Sequence, residues 1–141
     1  MRLDRIIVGE VRGVEAVDMI QALCSGHSGS LSTGHGNSTK DMLYRLETMV
    51  LTGMEIPAQA VRRQLVSGID LMVHLGRLRD RRRVVLEISE IKGFENEEIV
   101  LNPLYRFKET DKGAWVRVGE LLHKEKLIMA GLCDDNGLSD F

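Results

Sequence analysis

The chain has 141 residues, enough for one domain or part of one, and 43% of them are hydrophobic, enough to bury a core although aromatics are scarce at 4%. Its net charge of −2 argues against nucleic acid as a partner of the whole surface, and no 18-residue apolar stretch offers a membrane span. Two distant cysteines, Cys24 and Cys133, fit reduced thiols in a cytoplasmic protein, and the N-terminus does not read as a signal peptide.

In chain order, Ile6 to Val8 is a short β-branched run of the kind that forms a buried parallel strand, and it ends abruptly in the acid Glu10. Gly13 to Ser25 follows as a helix, with Ala16, Val17, Ile20 and Leu23-Cys24 on one face. Ser30 to Thr33 reads as a strand and Gly34 to Asn37 as a loop. Ser38 or Thr39 can cap a helix from Lys40 to about Leu51, with Asp41 in its first turn, and Gly53 ends it. Pro57 starts another helix at its first position, running to about Ser67.

From Ile69 the period changes to two: Ile69, Leu71, Val73 and Leu75 alternate with Asp70, Met72 and His74, as in a strand. Arg77 to Arg83 forms a turn, Val84 to Ile91 a second strand, Asn96 to Glu98 a turn and Ile99 to Phe107 a third strand, together an antiparallel meander. A polar break at Lys108 to Gly113 precedes a last helix, about Arg117 to Ala130. The acidic tail from Cys133 to Phe141 is expected to be disordered. Periodicity alone supports an α/β fold.

Two segments carry chemistry. Arg5-Ile6-Ile7-Val8-Gly9-Glu10-Val11-Arg12-Gly13 puts a carboxylate at the C-terminal end of a buried strand, where open α/β sheets present ligand-contacting groups. Gly26-His27-Ser28-Gly29-Ser30-Leu31-Ser32-Thr33-Gly34-His35-Gly36-Asn37-Ser38 combines glycines, which let backbone approach a polyanion, with hydroxyl, amide and imidazole donors. Read as isolated residues, Glu10 could be a strand-end acid paired with Arg12, and His27 or His35 a satisfied structural side chain. A zinc reading of Cys24, His27 and His35 falls short of the four ligands that a closed site needs.

The two segments together resemble the Walker B motif and histidine box of the type II/type IV secretion and pilus-assembly ATPases, most of all the CpaF-type branch that drives Flp pili. The likeness continues through Arg45 to Met49, Ile69 to Leu71 and Arg77 to Asp80, and fades after about Phe107. It implies the C-terminal half of a RecA-like P-loop NTPase domain over residues 1–107, with the last helix, 108–132, as an extension and 133–141 as the tail. It also implies ATP and Mg²⁺ as cofactors, a homo-hexamer, an inner-membrane pilus or secretion platform as partner, and a place at the inner face of the membrane. On this resemblance Glu10 is the Walker B acid that holds the metal's hydration shell or orients water, and Arg12 orients Glu10 or pairs across a subunit boundary. His35 senses the γ-phosphate, His27 fixes the loop, and Ser32 and Thr33 donate to phosphate or water.

The sequence departs from the family in two ways. No Gly-x4-Gly-Lys-Ser/Thr run occurs, so the loop that holds the β- and γ-phosphates is missing and the chain alone is expected to be inactive. The chain thus reads as a fragment, a truncated gene or a misplaced start at Met1, and a non-catalytic interaction module is the alternative function. Gly34 and Gly36 stand where larger residues are expected, which predicts a looser loop around His35. The arginines at 77, 79, 81, 82 and 83 read first as a solvated hairpin turn, with lipid or nucleic-acid contact or a subunit boundary as lesser options.

Overall fold

The computed structural model describes residues 5–26, 29–109, 113–134 and 137–138. The first apolar run becomes strand β1 (Ile7–Val11), and helix α1 (Ala16–Cys24) follows it. Strand β2 (Leu31–Gly34) then lies parallel to β1, with Ile7 opposite Leu31 and Val8 opposite Ser32. Parallel strands need a crossover, and α1 supplies it.

Helix α2 (Thr39–Gly53) starts where its cap predicts: the Ser38 hydroxyl accepts a hydrogen bond from the Asp41 amide at 3.0 Å. The Asp41 carboxylate reaches back to the Asn37 amide at 2.8 Å, so two otherwise orphaned donors are satisfied reciprocally. In helix α3 (Ala58–Gly68) Pro57 is the extended residue before the first turn, one position earlier than expected.

Eight side chains form the core between β1 and these helices: Val11, Ala16, Met19, Ile20, Leu46, Val50, Val61 and Leu65. They come from the faces that a 3.6-residue period sets inward, three or four residues apart along each helix.

A second sheet holds strands β3 (Leu71–Arg77), β4 (Arg83–Glu95), β5 (Glu98–Lys108) and β6 (Ala114–Arg117) in that order, all antiparallel. The β4–β5 turn falls at Asn96 and Glu97, both left-handed (φ 48° and 64°), which is the backbone a two-residue hairpin needs. The meander thus has four strands rather than three.

The expected helix from Arg117 to Ala130 is corrected as well. Residues 114–117 are strand β6, residues 118–124 are non-helical, and only Glu125–Met129 form a short helix, α4. Two anchors hold the non-helical stretch. The buried Glu90 carboxylate accepts the amides of Leu122 (2.9 Å) and His123 (2.7 Å), and the Val118 amide donates to the Leu104 carbonyl at 2.8 Å. Those amides are committed to a neighbouring strand and cannot close helical turns.

Of the tail, Cys133–Asp134 pairs with Gly137–Leu138 as a minimal antiparallel ladder, β7 and β8, instead of remaining unstructured; the other residues of the tail, like His27, lie outside the described ones. No helix among the described residues is long and apolar enough to cross a membrane.

Candidate functional site

Parallel pairing brings the C-terminal ends of β1 and β2 side by side, and the two key side chains with them. Glu10 projects from β1 and His35 follows β2 directly. Their Oε1 and Nε2 atoms are 2.7 Å apart. Arg12 closes on the other carboxylate oxygen, with Nη2 2.5 Å from Oε2. The Thr33 hydroxyl donates to the Gly9 carbonyl and ties β2 to β1 immediately before the acid.

The guanidinium of Arg12 holds the Glu10 carboxyl below its ordinary range; partial desolvation opposes this, and the charge of His35 adds to the lowering. The group is therefore an anion at neutral pH. Its Oε1 is shielded from solvent but lacks a well-directed hydrogen bond, because His35 contacts it closely without aligning as a donor. A carboxylate at this strand end, held between Arg12 and His35, is the kind of group that can hold a metal-bound water, since Mg²⁺ keeps several waters and is often held through a carboxylate.

Glu15 went unnoticed in the sequence. Its carboxylate accepts the amides of Arg12 (2.7 Å) and Gly13 (3.0 Å), closing the turn between β1 and α1 and fixing the backbone that carries Arg12. A Glu two residues beyond a strand-end Gly is the signal that could have identified it.

The loop after β2 also differs from expectation. Neither Gly34 nor Gly36 is left-handed; both are positions of close approach. A Cβ at Gly36 would meet the backbone of Met42 at 3.1 Å, and one at Gly34 would strike the Met42 side chain at 2.2 Å. The glycines seat the His35 loop against the first turn of α2 instead of loosening it.

That turn is anchored in its own right. Thr39, itself buried, donates to Glu87 Oε1 at 2.8 Å, and the same carboxylate accepts from Ser89 (2.7 Å) and Arg106 (3.1 Å). Burial pushes the Glu87 carboxyl up, but these bonds outweigh it and leave the group below its ordinary range. The His35 loop is thereby linked to the meander through a charged network that single-residue reading missed.

Ser32 and Thr33 are exposed and line, with His35, a groove of about 720 Å³ between β2 and β3. That is the size of a ligand pocket, and its far wall is Ile69 to Leu75. Of the residues proposed from sequence, Glu10, Arg12 and His35 therefore meet directly, and Thr33 braces the strands behind them. Ser32 faces the groove without reaching them, and His27 lies outside the described residues. Cys24 contacts the Gln64 carbonyl at 3.5 Å, and partial burial pushes its thiol up, which suits a structural thiol.

Comparison with known proteins is consistent with this geometry. A family model described as "Type II/IV secretion system protein" matches residues 1–101. The type IV secretion system protein VirB11 of Brucella suis is 38% identical over 78 residues, 53% of this chain and 22% of its own length. The conjugal transfer protein TrbB of Rhizobium radiobacter is 36% identical over 96 residues, 68% of this chain and 28% of its own.

A crystal structure of the VirB11 ATPase from the Brucella suis type IV secretion system, in complex with sulphate, superposes with a TM-score of 0.59 at 35% identity. The match covers 64% of this chain and 28% of that one. The chain spans roughly a quarter of the length of these relatives. It belongs to the type II/IV secretion system protein family.

Proposed function

We propose that this chain is the Walker B and histidine-box part of a CpaF-type secretion ATPase with a RecA-like core. In this reading residues 1–107 belong to the ATPase domain and 108–132 are an extension of it. The whole assembly is a hexamer at the inner face of the membrane, where it couples ATP hydrolysis to pilus assembly or secretion through a platform protein. The observation that carries the reading is the 2.7 Å approach of His35 to an ionised Glu10 across two parallel strands, at the strand ends where α/β sheets bind ligands.

In that role Glu10 holds the hydration shell of Mg²⁺ or orients the attacking water. Arg12 keeps the carboxylate ionised and aimed. His35 donates toward phosphate, with Ser32 as a further hydroxyl donor along the groove, while Thr33, whose proton goes to the Gly9 carbonyl, holds β2 against β1. Bound Mg²⁺ would supply charge neutralisation at the β- and γ-phosphates.

The phosphate-holding loop must come from elsewhere, because no Gly-x4-Gly-Lys-Ser/Thr run is present. Calorimetry on the isolated chain should therefore give no saturable Mg-ATP binding below millimolar concentrations. Micromolar affinity would overturn this division of labour.

A second reading, a non-catalytic interaction module, is favoured by a different feature. β2 bonds only to β1 and β3 only to β4, so among the described residues each leaves one edge unpaired, and the groove lies between them. Leu31 is 65% exposed and Leu71, Val73 and Leu75 are 50–64% exposed. Unpaired edges with apolar side chains recruit another strand.

Co-expression with a P-loop-bearing polypeptide of the same family separates the readings. Gain of both solubility and ATPase activity supports the enzyme part. Gain of solubility alone supports the module.

A further inference from the structure

The His35 side chain is 79% exposed where it meets Glu10, so packing around the ring does not place it and its backbone must. That backbone is held at two ends. Upstream, Gly34 is the partner of Val11 on β1, but the β1–β2 ladder is irregular between Val8 and Val11, so this end gives weak support. Downstream, the loop is welded to the first turn of α2. Gly36 lies against the Met42 backbone, the Asp41 carboxylate takes the Asn37 amide at 2.8 Å, and the Met42 amide donates to the Ser38 carbonyl at 3.0 Å. These contacts are all internal to residues 36–42, and any slide of that turn carries His35 with it.

What locates the turn is a long-range bond. Leu46 and Val50 sink the later turns of α2 into the helical core, whereas its first turn is pinned by Thr39. This residue is 5% exposed, and its hydroxyl donates to Glu87 Oε1 at 2.8 Å. Among the described residues it is the one hydrogen bond that runs from residues 36–42 to another strand or helix. The acceptor is itself immobilised. Glu87 lies on the inner strand β4, between His74 on β3 and Arg106 on β5, and also accepts from Ser89 on the same oxygen and from Arg106 on the other.

We propose that Glu87 is a positioning residue for His35: through the Thr39 hydroxyl it fixes where α2 begins, and thereby holds the imidazole on the Glu10 carboxylate. A slide of about 1 Å in that turn would take the 2.7 Å contact beyond hydrogen-bond range. The proposal rests on the reading of Glu10 and His35 as the site. Glu87 acts on it from the antiparallel sheet, 48 residues along the chain from Thr39, and only through the backbone of residues 36–39.

The test is the response of the His35 ring resonances to Glu10→Gln, read by NMR on the 141-residue chain and assigned with His35→Gln. In the parent, removing the charge beside the imidazole should shift them. Thr39→Val keeps the branched shape without the hydroxyl, and in that background the shift should be lost. Thr39→Ser restores the hydroxyl and should restore the shift. Thr48→Val makes the same exchange further along α2, where the hydroxyl donates to the Tyr44 carbonyl of its own helix, and should leave the shift as in the parent. Glu87→Ala cuts the tie from the meander side and should also lose the shift, which keeps the test decisive should Thr39→Val fail to fold. Circular dichroism and Trp115 fluorescence establish folding of each variant.

A folded Thr39→Val or Glu87→Ala chain in which His35 still answers to Glu10→Gln in full would overturn the proposal, whatever stability it had lost. Loss of the response in Thr39→Ser or Thr48→Val would overturn it as well. Either result leaves the reading of Glu10 and His35 standing. No response in the parent would overturn that reading, and the proposal with it.

Discussion

The two larger sheets among the described residues solve the same problem to different extents. The meander β3–β6 pairs each inner strand on both sides and buries Ile91 and Leu104, and its buried acid, Glu90, has a donor for each carboxylate oxygen. The parallel pair β1–β2 has two strands, leaves Ile7 73% and Leu31 65% exposed, and is supported on one side by helices α1–α3. The candidate chemistry sits on the incomplete sheet. A two-stranded sheet is marginal by itself, so the site depends on the helical layer beneath it and, in the proposed assembly, on strands supplied from outside.

The largest effect that would break this contrast is a hole in the helical layer. Leu65 is fully buried in the core that α1, α2 and α3 form beneath β1, and Leu65→Ala should cost about 2–5 kcal/mol. Trp115 reports on the meander from its place beside Phe107, where its indole N–H donates to the Val85 carbonyl. In a urea titration of the variant, circular dichroism should lose helix before Trp115 fluorescence changes. A single shared transition would show that the two sheets are one cooperative unit.

Next in size is Glu90→Gln. The carboxylate takes three donors, from Asn102, Leu122 and His123, and an amide cannot accept them all. The loss should be about 1–3 kcal/mol. Hydrogen exchange at the Leu122 and His123 amides should accelerate while that of β4 and β5 does not; unchanged exchange would remove Glu90 as the clasp on residues 118–124.

An acid titration sharpens the same point. Burial raises the Glu87 and Glu90 carboxyls, but their hydrogen bonds outweigh it and hold both below the ordinary range. A lowered folded value stabilises the fold above the unfolded value, about pH 4.3, and that contribution is lost as pH falls through the folded values. The meander should keep its Trp115 signal at neutral pH and lose it only below about pH 4.3, and Glu90→Gln should flatten that dependence. The smallest effect belongs to the site: Glu10→Gln removes a half-buried acid whose partners Arg12 and His35 are both exposed, and should leave the thermal midpoint within error of the parent.

Much of this was legible in the residues. The β-branched run ending in Glu10, the Ser38 cap and the two-residue period of β3 follow from local rules that the tertiary structure did not override. The stretch from 118 to 124 was not legible. Val118, Leu121 and Leu122 have helical spacing, but Glu90, some thirty residues earlier, takes the amides that a helix would need. Gly34 and Gly36 were misread for a related reason, since their role is to admit Met42, and that contact exists only once α2 has folded back. At the site, the motifs marked Glu10 and His35. The Glu15 and Glu87 carboxylates that hold their surroundings belong to neither motif; the place of Glu15 two residues beyond Gly13 offers a sequence signal, whereas Glu87 emerges only from the hydrogen bonds.

The most direct test of the central claim is Mg-ATPase activity of this chain complexed with a P-loop-bearing polypeptide of the family, beside the same complex carrying Glu10→Gln. Turnover is expected in the parent complex, none in the isolated chain, and loss in the variant with the complex still assembled. Turnover that survives Glu10→Gln, or a complex that forms and never hydrolyses ATP, would contradict it.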